Sequence, residues 1–400
     1  MQTKLRPIAL IVVLFAVTIS QCSAQFTRKA VIKVSPQPET TTVADFNNDG
    51  IPDLAVDLYF PNAVAVLLGA GDGTFPTRFV FGSGTGGNPA AMAVGDFNED
   101  GKADIVLFPD QVSFFAGNGD GTFHLAATSP YPGIDPVWSA VGDFNHDGHL
   151  DIANADNATS NVSVLLGNGD GTFQPAVEYP LAEPPLGVVA ADFNNDGYAD
   201  LAVTLVCSNN LCAHGEVDVL LNNQDGTFQS PLKFATGAST SEGLAAADLN
   251  GDGNLDLVVA NGGFATQEGT VSVLLGNGNG TFASSVDYLT AYGTISVAVA
   301  DLDGDGHPDV VAGNAGVSNT FSLLRGNGDG TLQSPRTFGV GPAPVHVLAA
   351  DINGDGAPDL IFPLHDGARV VVYTNTPRPT TAGRNPLDPG GSTDWSVRLK

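Results

Sequence analysis

Apolar and polar positions recur along this chain in blocks of four short runs. In the clearest block an alternating run, SVAVAD (Ser296 to Asp301), leads into a polar loop, and a nearly continuous apolar run, PDVVAG (Pro308 to Gly313), leads out of it. A third run, FSLLRG (Phe321 to Gly326), is followed by a Gly-rich turn and a fourth run, TLQSPRTFGV. Runs this short, rich in Val, Leu and Phe and bounded by Gly, Asp and Asn, predict strands rather than helices. The polar loops begin at residues 45, 96, 143, 192, 248, 301 and 351, so the blocks are 47 to 56 residues apart. A period near fifty in strand-rich sequence is that of a propeller blade. The expected fold is therefore all-β: a seven-bladed β-propeller of four-stranded antiparallel blades.

The loops that punctuate the blocks are near copies of one nine-residue unit, among them DFNNDGIPD, DFNHDGHLD and DLDGDGHPD. Position 1 is Asp45, Asp96, Asp143, Asp192, Asp248, Asp301 and Asp351. Position 3 is Asn47, Asn98, Asn145, Asn194, Asn250, Asp303 and Asn353, and position 5 is Asp49, Asp100, Asp147, Asp196, Asp252, Asp305 and Asp355. Position 6 is always Gly, and position 9 is Asp53, Asp104, Asp151, Asp200, Asp256, Asp309 and Asp359. Calcium takes six to eight oxygens, and a loop coiled around it presents alternate side chains inward. Positions 1, 3 and 5 then face the ion. Gly at position 6 lets the chain turn back. That turn offers the carbonyl of position 7, which is Ile51, Lys102, His149, Tyr198, Asn254, His307 or Ala357, together with the position-9 carboxylate. The apolar residue at position 10 opens a strand, so the loop joins two strands, unlike the helix-flanked calcium hand. The sequence thus predicts up to seven structural Ca2+ ions.

A second unit repeats in phase: AGDGTF, GNGDGTF, NNQDGTF, GNGNGTF and GNGDGTL read as tight hairpins between the third and fourth strands. No Lys or helical stretch follows these turns, which argues against phosphate cradles. There are seven acidic loops but six such hairpins, because after Asp359 the chain makes VVVYTN and runs into a Pro- and Gly-rich tail. The run QFTRKAVIKV near the other end resembles the fourth strands TFQSPLKFAT and TLQSPRTFGV. Phe26 to Val34 is therefore expected to pair as the outer strand of the last blade, close the ring and cover an open edge.

Composition narrows the partners. Fifteen basic residues against 43 acidic ones give a net charge of −28, a poor match for nucleic acid or anionic lipid. Three acids per loop, with Asp303, make 22 of those 43 residues, so metal ligation explains half of the acidity. Lys4 and Arg6 precede an apolar run from Ile8 to Ile19 and small residues at Ser23 and Ala24. Residues 1–24 therefore read as a signal peptide cut after Ala24. The expected location is secreted or at the cell envelope, in the periplasm or on the outer surface, with no membrane span. Gln21 before Cys22 fits a lipoprotein cleavage site poorly. Cys207 and Cys212 then form an even pair, expected to close a short disulfide loop in an exported protein. Residues 377–400 lack periodicity and are expected to be disordered.

The acidic loops and GDGTF hairpins together resemble the FG-GAP/VCBS-type repeat, the blade unit of the integrin α-subunit propeller and of many secreted bacterial proteins. The resemblance spans about residues 26–376. It implies calcium held by the positions matched here by Asp45, Asn47, Asp49, the carbonyl of Ile51, and Asp53, and likewise in the other six loops. The chain departs from integrins in carrying the loop in every blade and in lacking a literal FG…GAP pair, so integrin ligands do not transfer. Fungal lectins with similar calcium-loop propellers bind sugars, which places a glycan beside a protein among the expected ligands.

In a four-stranded blade the acidic loops and the hairpins emerge on one face, and the second-to-third and blade-to-blade connections on the other. The first face is uniform, the second variable, and binding is expected on the second. Its aromatic residues, Tyr59, Phe60, Tyr131, Trp138, Tyr179 and Tyr292, are candidates to stack on a sugar or anchor a partner, with covering of blade joints as the alternative. No aromatic repeats in every blade, which favours one composite site over a repeated sugar site. The histidines are scattered, three of them inside acidic loops, and no nucleophile elbow or zinc motif stands out, so no catalytic residue is expected. The expected protein is a monomeric extracellular recognition or adhesion module. A calcium-dependent carbohydrate-binding protein or carbohydrate-active enzyme is the alternative.

Overall fold

A computed structural model describes residues 26–376 apart from 84–90, 207–214, 238–239 and 263–267. Residues 1–24, read above as a signal peptide, with Cys22, and Cys207, Cys212, His214, Phe264 and residues 377–400 lie outside the described residues. The rest forms seven four-stranded antiparallel sheets, each a blade. Among the described residues the sole helix is a three-residue 3-10 turn at His365–Gly367, and no helix is long and apolar enough to cross a membrane.

Blade 1 shows the plan. Its inner strand Pro38–Ala44 runs into the first acidic loop, Asp53–Leu58 returns, Ala63–Leu68 follows, and Thr77–Gly82 forms the outer edge. The second strand is apolar nearly throughout because it is buried on both faces. Leu54, Val56 and Leu58 pack toward blade 7, whereas Ala55 packs toward blade 2. Outer strands read differently: Thr77–Gly82 alternates between exposed and half-buried positions. There is accordingly no single central core. Seven apolar layers lie one at each joint, such as Phe46, Val64 and Val66 against Ile105 and Leu107 between blades 1 and 2. Each layer buries its side chains almost completely, and at about 25 cal/mol per Å2 these layers are the main source of stability.

Blade 7 is completed from the far end of the chain. Phe26–Lys33 pairs antiparallel with Arg369–Asn375, from Phe26 opposite Asn375 to Lys33 opposite Arg369, in a sheet with Asp359–Leu364 and Leu348–Ala350. Phe26 enters the layer between blades 6 and 7, with Phe321, Phe362 and Leu302. Its edge-to-face contact with Phe321 has centroids 6.2 Å apart. The residue thus fills the place that the Phe of a GDGTF hairpin fills in earlier blades, and the closure expected from the sequence is the one observed.

Truncating Phe26 to Ala should cost about 3 kcal/mol. Removing residues 26–33 should lower the melting temperature by about 10 °C or more. Thermal unfolding followed by circular dichroism checks both, and an unchanged melt for the deletion would contradict a closing role.

Candidate functional site

Each acidic loop folds around its own backbone amides. The position-1 carboxylate accepts from the position-5 N–H at 3.0 to 3.2 Å and from the position-6 Gly N–H at 2.8 to 3.0 Å in all seven loops. The position-5 carboxylate accepts from the position-7 N–H, as Asp49 does from Ile51 at 2.8 Å. In the six loops with Asn at position 3, its Oδ1 accepts the position-5 N–H. The Gly at position 6 has φ near +80 to +90°, for example +80° at Gly50 and +91° at Gly197. A side chain there would strain the turn. The donors are oxygens only and largely anionic, which suits a hard divalent cation such as calcium. Five loop residues would hold it: the side chains of positions 1, 3, 5 and 9 and the carbonyl of position 7.

Position 9 has a second task. Its Oδ2 accepts the N–H of position 2 of its own loop at 2.7 to 3.3 Å. Its Oδ1 accepts a backbone N–H from the end of the same blade's third strand, at Gly69, Gly117, Gly167, Asn222, Gly276, Gly326 or Asn375, at 2.7 to 2.9 Å. One fully buried carboxylate therefore ties the loop to the start of the hairpin in six blades and to the last strand in blade 7. Burial pushes this carboxyl up, to about 6 in Asp53, Asp151, Asp200 and Asp256 and to about 7 in Asp104, Asp309 and Asp359. The two amide bonds oppose the shift, and the carboxylates at positions 1 and 5 add to it.

Neighbouring loops are linked by residues that the ligand pattern does not single out. The position-2 carbonyl accepts from the next blade, as Phe46 does from Gly121 N–H at 2.9 Å and Phe144 from Asn222 Nδ2 at 2.8 Å. The position-2 ring packs edge-on against the Phe of the next hairpin: Phe46 on Phe123, Phe97 on Phe173, Phe144 on Phe228 and Phe193 on Phe282. Position 4 also has positive φ, at Asn48, Glu99, His146 and Asn195, with Gly in the last three loops. In the second, third and fourth loops its side chain reaches position 7 of the following loop. Glu99 pairs with His149 at 2.5 Å and holds that imidazole above its usual range. His146 stacks on Tyr198 at 3.9 Å, and Asn195 donates to Asn254 at 2.8 Å. The change at position 4 from Asn, Glu or His in the first four loops to Gly in the last three was the available signal.

On the opposite face the six aromatic candidates separate. Tyr59 and Phe60 are exposed and in edge-to-face contact at 5.0 Å, and Tyr292 is exposed at the end of Val286–Tyr292. Tyr131 instead donates to Asp156 at 2.5 Å and packs on Phe108. Tyr179 accepts the N–H of Phe228 across the joint of blades 3 and 4, and Tyr288 accepts that of Leu332 between blades 5 and 6. Trp138 lies on the inner strand Pro136–Gly142 and meets His346 of blade 7 with centroids 5.0 Å apart. Blades 3 and 7 are not neighbours, so these rings meet across the axis of the ring. His346 is buried, which pushes its imidazole down to about 4, and its Nδ1 accepts the N–H of Thr41 from blade 1. Near that axial end Glu39 lies 3.9 Å from His365, whose Nδ1 is 3.0 Å from Asp366. Burial raises the Glu39 carboxyl and His365 opposes the rise, while burial and then Glu39 hold the buried Asp57 well above the usual carboxylate range.

Comparison with known proteins bears on the repeat and the fold. The FG-GAP-like repeat matches at residues 45–107, 108–154, 143–203, 205–259, 263–312 and 301–362. No curated protein matches the chain. Among solved structures a streptogramin B lyase is similar, with a TM-score of 0.56 and 14% identity over 87% of this chain and 98% of that one. The likeness is one of fold.

In chelator Asp200→Ala should cost about 2 to 6 kcal/mol, since two buried N–H groups lose their acceptor at about 1 to 3 kcal/mol each. Asp192→Ala, whose amide partners are exposed to water, should cost under about 1 kcal/mol under the same conditions. Urea unfolding would separate the two, and equal losses would contradict the fastening role.

Proposed function

The chain belongs to the FG-GAP-like repeat family, and on that premise we propose an exported, calcium-loaded recognition module that is not an enzyme. Propellers of this repeat are a general protein-binding type, and the adhesion-like role is the finer reading advanced here. The observation that carries it is the contrast between the two faces. One face repeats the same acidic loop and the same buried carboxylate seven times, as a scaffold would. The other differs from blade to blade and presents Tyr59, Phe60 and Tyr292 to solvent. The partner is an extracellular protein or a glycan. The exposed Tyr59–Phe60 pair favours giving the glycan a place, because two adjoining rings offer a face for stacking on a sugar. The described histidines support no catalytic reading: they pair with a carboxylate (His149, His365), stack on a ring (His146), contact an amide oxygen (His124), meet Trp138 near the axis (His346) or lie within an acidic loop (His307).

Calcium at about 1 mM should raise the melting temperature relative to chelator, as binding to the folded state alone requires. The pH dependence should change sign with it. In chelator the position-9 carboxyls bind protons more tightly in the folded chain, at about 6 to 7, than the ordinary value of about 4 in the unfolded one. Their contribution is then present at pH 4 and is lost as pH rises through 6 to 7. In calcium, proton and metal compete, so stability should rise over the same interval. Melts at pH 5 and pH 8 with and without calcium read both effects, and identical behaviour in the two media would refute calcium loading.

Binding is tested with a glycan array and with pull-down from cell-envelope extracts, each in calcium and in chelator. The double change Tyr59→Ala and Phe60→Ala should reduce capture at least about tenfold without moving the melt, as loss of exposed aromatic anchors does. Undiminished capture would remove these residues from the site.

A further inference from the structure

Blade 6 breaks the repeat at two positions together. Its loop alone has Asp rather than Asn at position 3, Asp303, and its third strand is followed by Arg325 where blades 1, 3, 4 and 5 have Leu68, Leu166, Leu221 and Leu275. The positions correspond in structure, since each directly precedes the N–H that fastens the position-9 carboxylate. The Arg325 guanidinium forms an ion pair with Asp303 and lies 3.7 Å from Asp309, the position-9 carboxylate of the same loop. The three side chains are 16%, 6% and 1% exposed, so this is an interior arrangement. Asp301, Asp303 and Asp309 bring one carboxylate oxygen each within 4.8 Å of one another, the grouping a divalent ion would take, and a cation of the chain itself adjoins two of them.

The topology explains why an arginine stands there. Leu68, Leu166, Leu221 and Leu275 lie beneath the hairpin glycine of the following blade, at Gly121, Gly226, Gly280 and Gly330. Blade 7 is closed by Phe26–Lys33, so no such hairpin follows Arg325. A leucine would lose its cover, whereas an arginine turns to the acidic loop. A divalent ion entering that loop would have to displace a tethered guanidinium from two buried carboxylates or accept its charge at close range, and both outcomes weaken binding.

We propose that Arg325 is the resident cation of the blade 6 loop, which holds its shape without calcium while the other loops take the ion. The proposal deepens the calcium-loaded reading and rests on it for those other loops. Native mass spectrometry of the purified protein at saturating calcium counts the ions. Arg325→Leu should add one ion to the wild-type number, and Arg325→Leu with Asp303→Asn, which gives the loop the residues of its neighbours, should do the same should the single variant fail to fold. Hydrogen exchange in chelator gives a second readout. The wild-type amides of residues 302–307 should exchange about tenfold more slowly than those of residues 249–254. Arg325→Leu should abolish that difference. Seven ions on the wild type, or no added ion in either variant, would overturn the proposal and leave calcium loading intact. No ion on any protein would overturn calcium loading, and the exchange comparison would still decide the part played by Arg325, with equal rates in the two loops counting against it.

Discussion

The structure depends on one buried carboxylate repeated seven times. At position 9 of each acidic loop it is the first residue of the blade's second strand, it closes the loop through the position-2 amide, and it fixes the end of the third strand through the other oxygen. A charge in so dry a place is costly unless something offsets it. Two amides offset part of that cost, and the raised carboxyl values show that they do not offset all of it. The remaining deficit gives a cation a thermodynamic reason to bind, and in one blade an arginine stands beside the same carboxylate.

From these fastenings the ring assembles joint by joint. Each loop is held to its own blade by position 9 and to the next by the carbonyl and the ring of position 2. The apolar layers contribute most of the burial, but much of each layer is made of interchangeable aliphatic side chains that alone would tolerate slippage. The polar contacts occur at fixed positions and set the register of one blade on the next. Closure at blade 7 uses the same devices with different residues: Asn375 supplies the amide for Asp359, its side chain reaches the carbonyl of Leu302, and Phe26 supplies the ring.

Most of this was legible in the sequence because it is repeated. The period of about fifty residues, the four runs per block, the missing fourth strand and its replacement near residue 26 all follow from pattern, and the observed sheets agree. What escaped notice involves contacts between blades, which no single repeat contains. Position 4 has no place in the ligand pattern, yet in the second and third loops its left-handed backbone aims a side chain at the next loop. For Tyr179 the joint-covering alternative is the one observed, and Tyr288 does the same between blades 5 and 6. The sequence left the choice open because a half-buried hydroxyl that accepts an amide across a joint has the same local sequence as an exposed one. Trp138 was placed on the variable face by its neighbours in sequence. The geometry of the ring carries it inward to His346, a residue more than two hundred positions away.

The closing strand also bears on how the molecule forms. Phe26–Lys33 leaves the ribosome before any blade and pairs with Arg369–Asn375, which leaves it after six blades are complete. The entropy of closing so long a loop grows only logarithmically with its length, by about 0.6 kcal/mol per doubling, so equilibrium stability is little affected. The kinetics are affected more, because pairing at such separation comes late and leaves an unpaired edge until then. Three basic residues, Arg28, Lys29 and Lys33, stand on this strand in a chain that has fifteen in all. Charge of that kind on a waiting edge discourages wrong pairing with another chain. The strand that completes the ring is in this way equipped to remain single until its partner arrives.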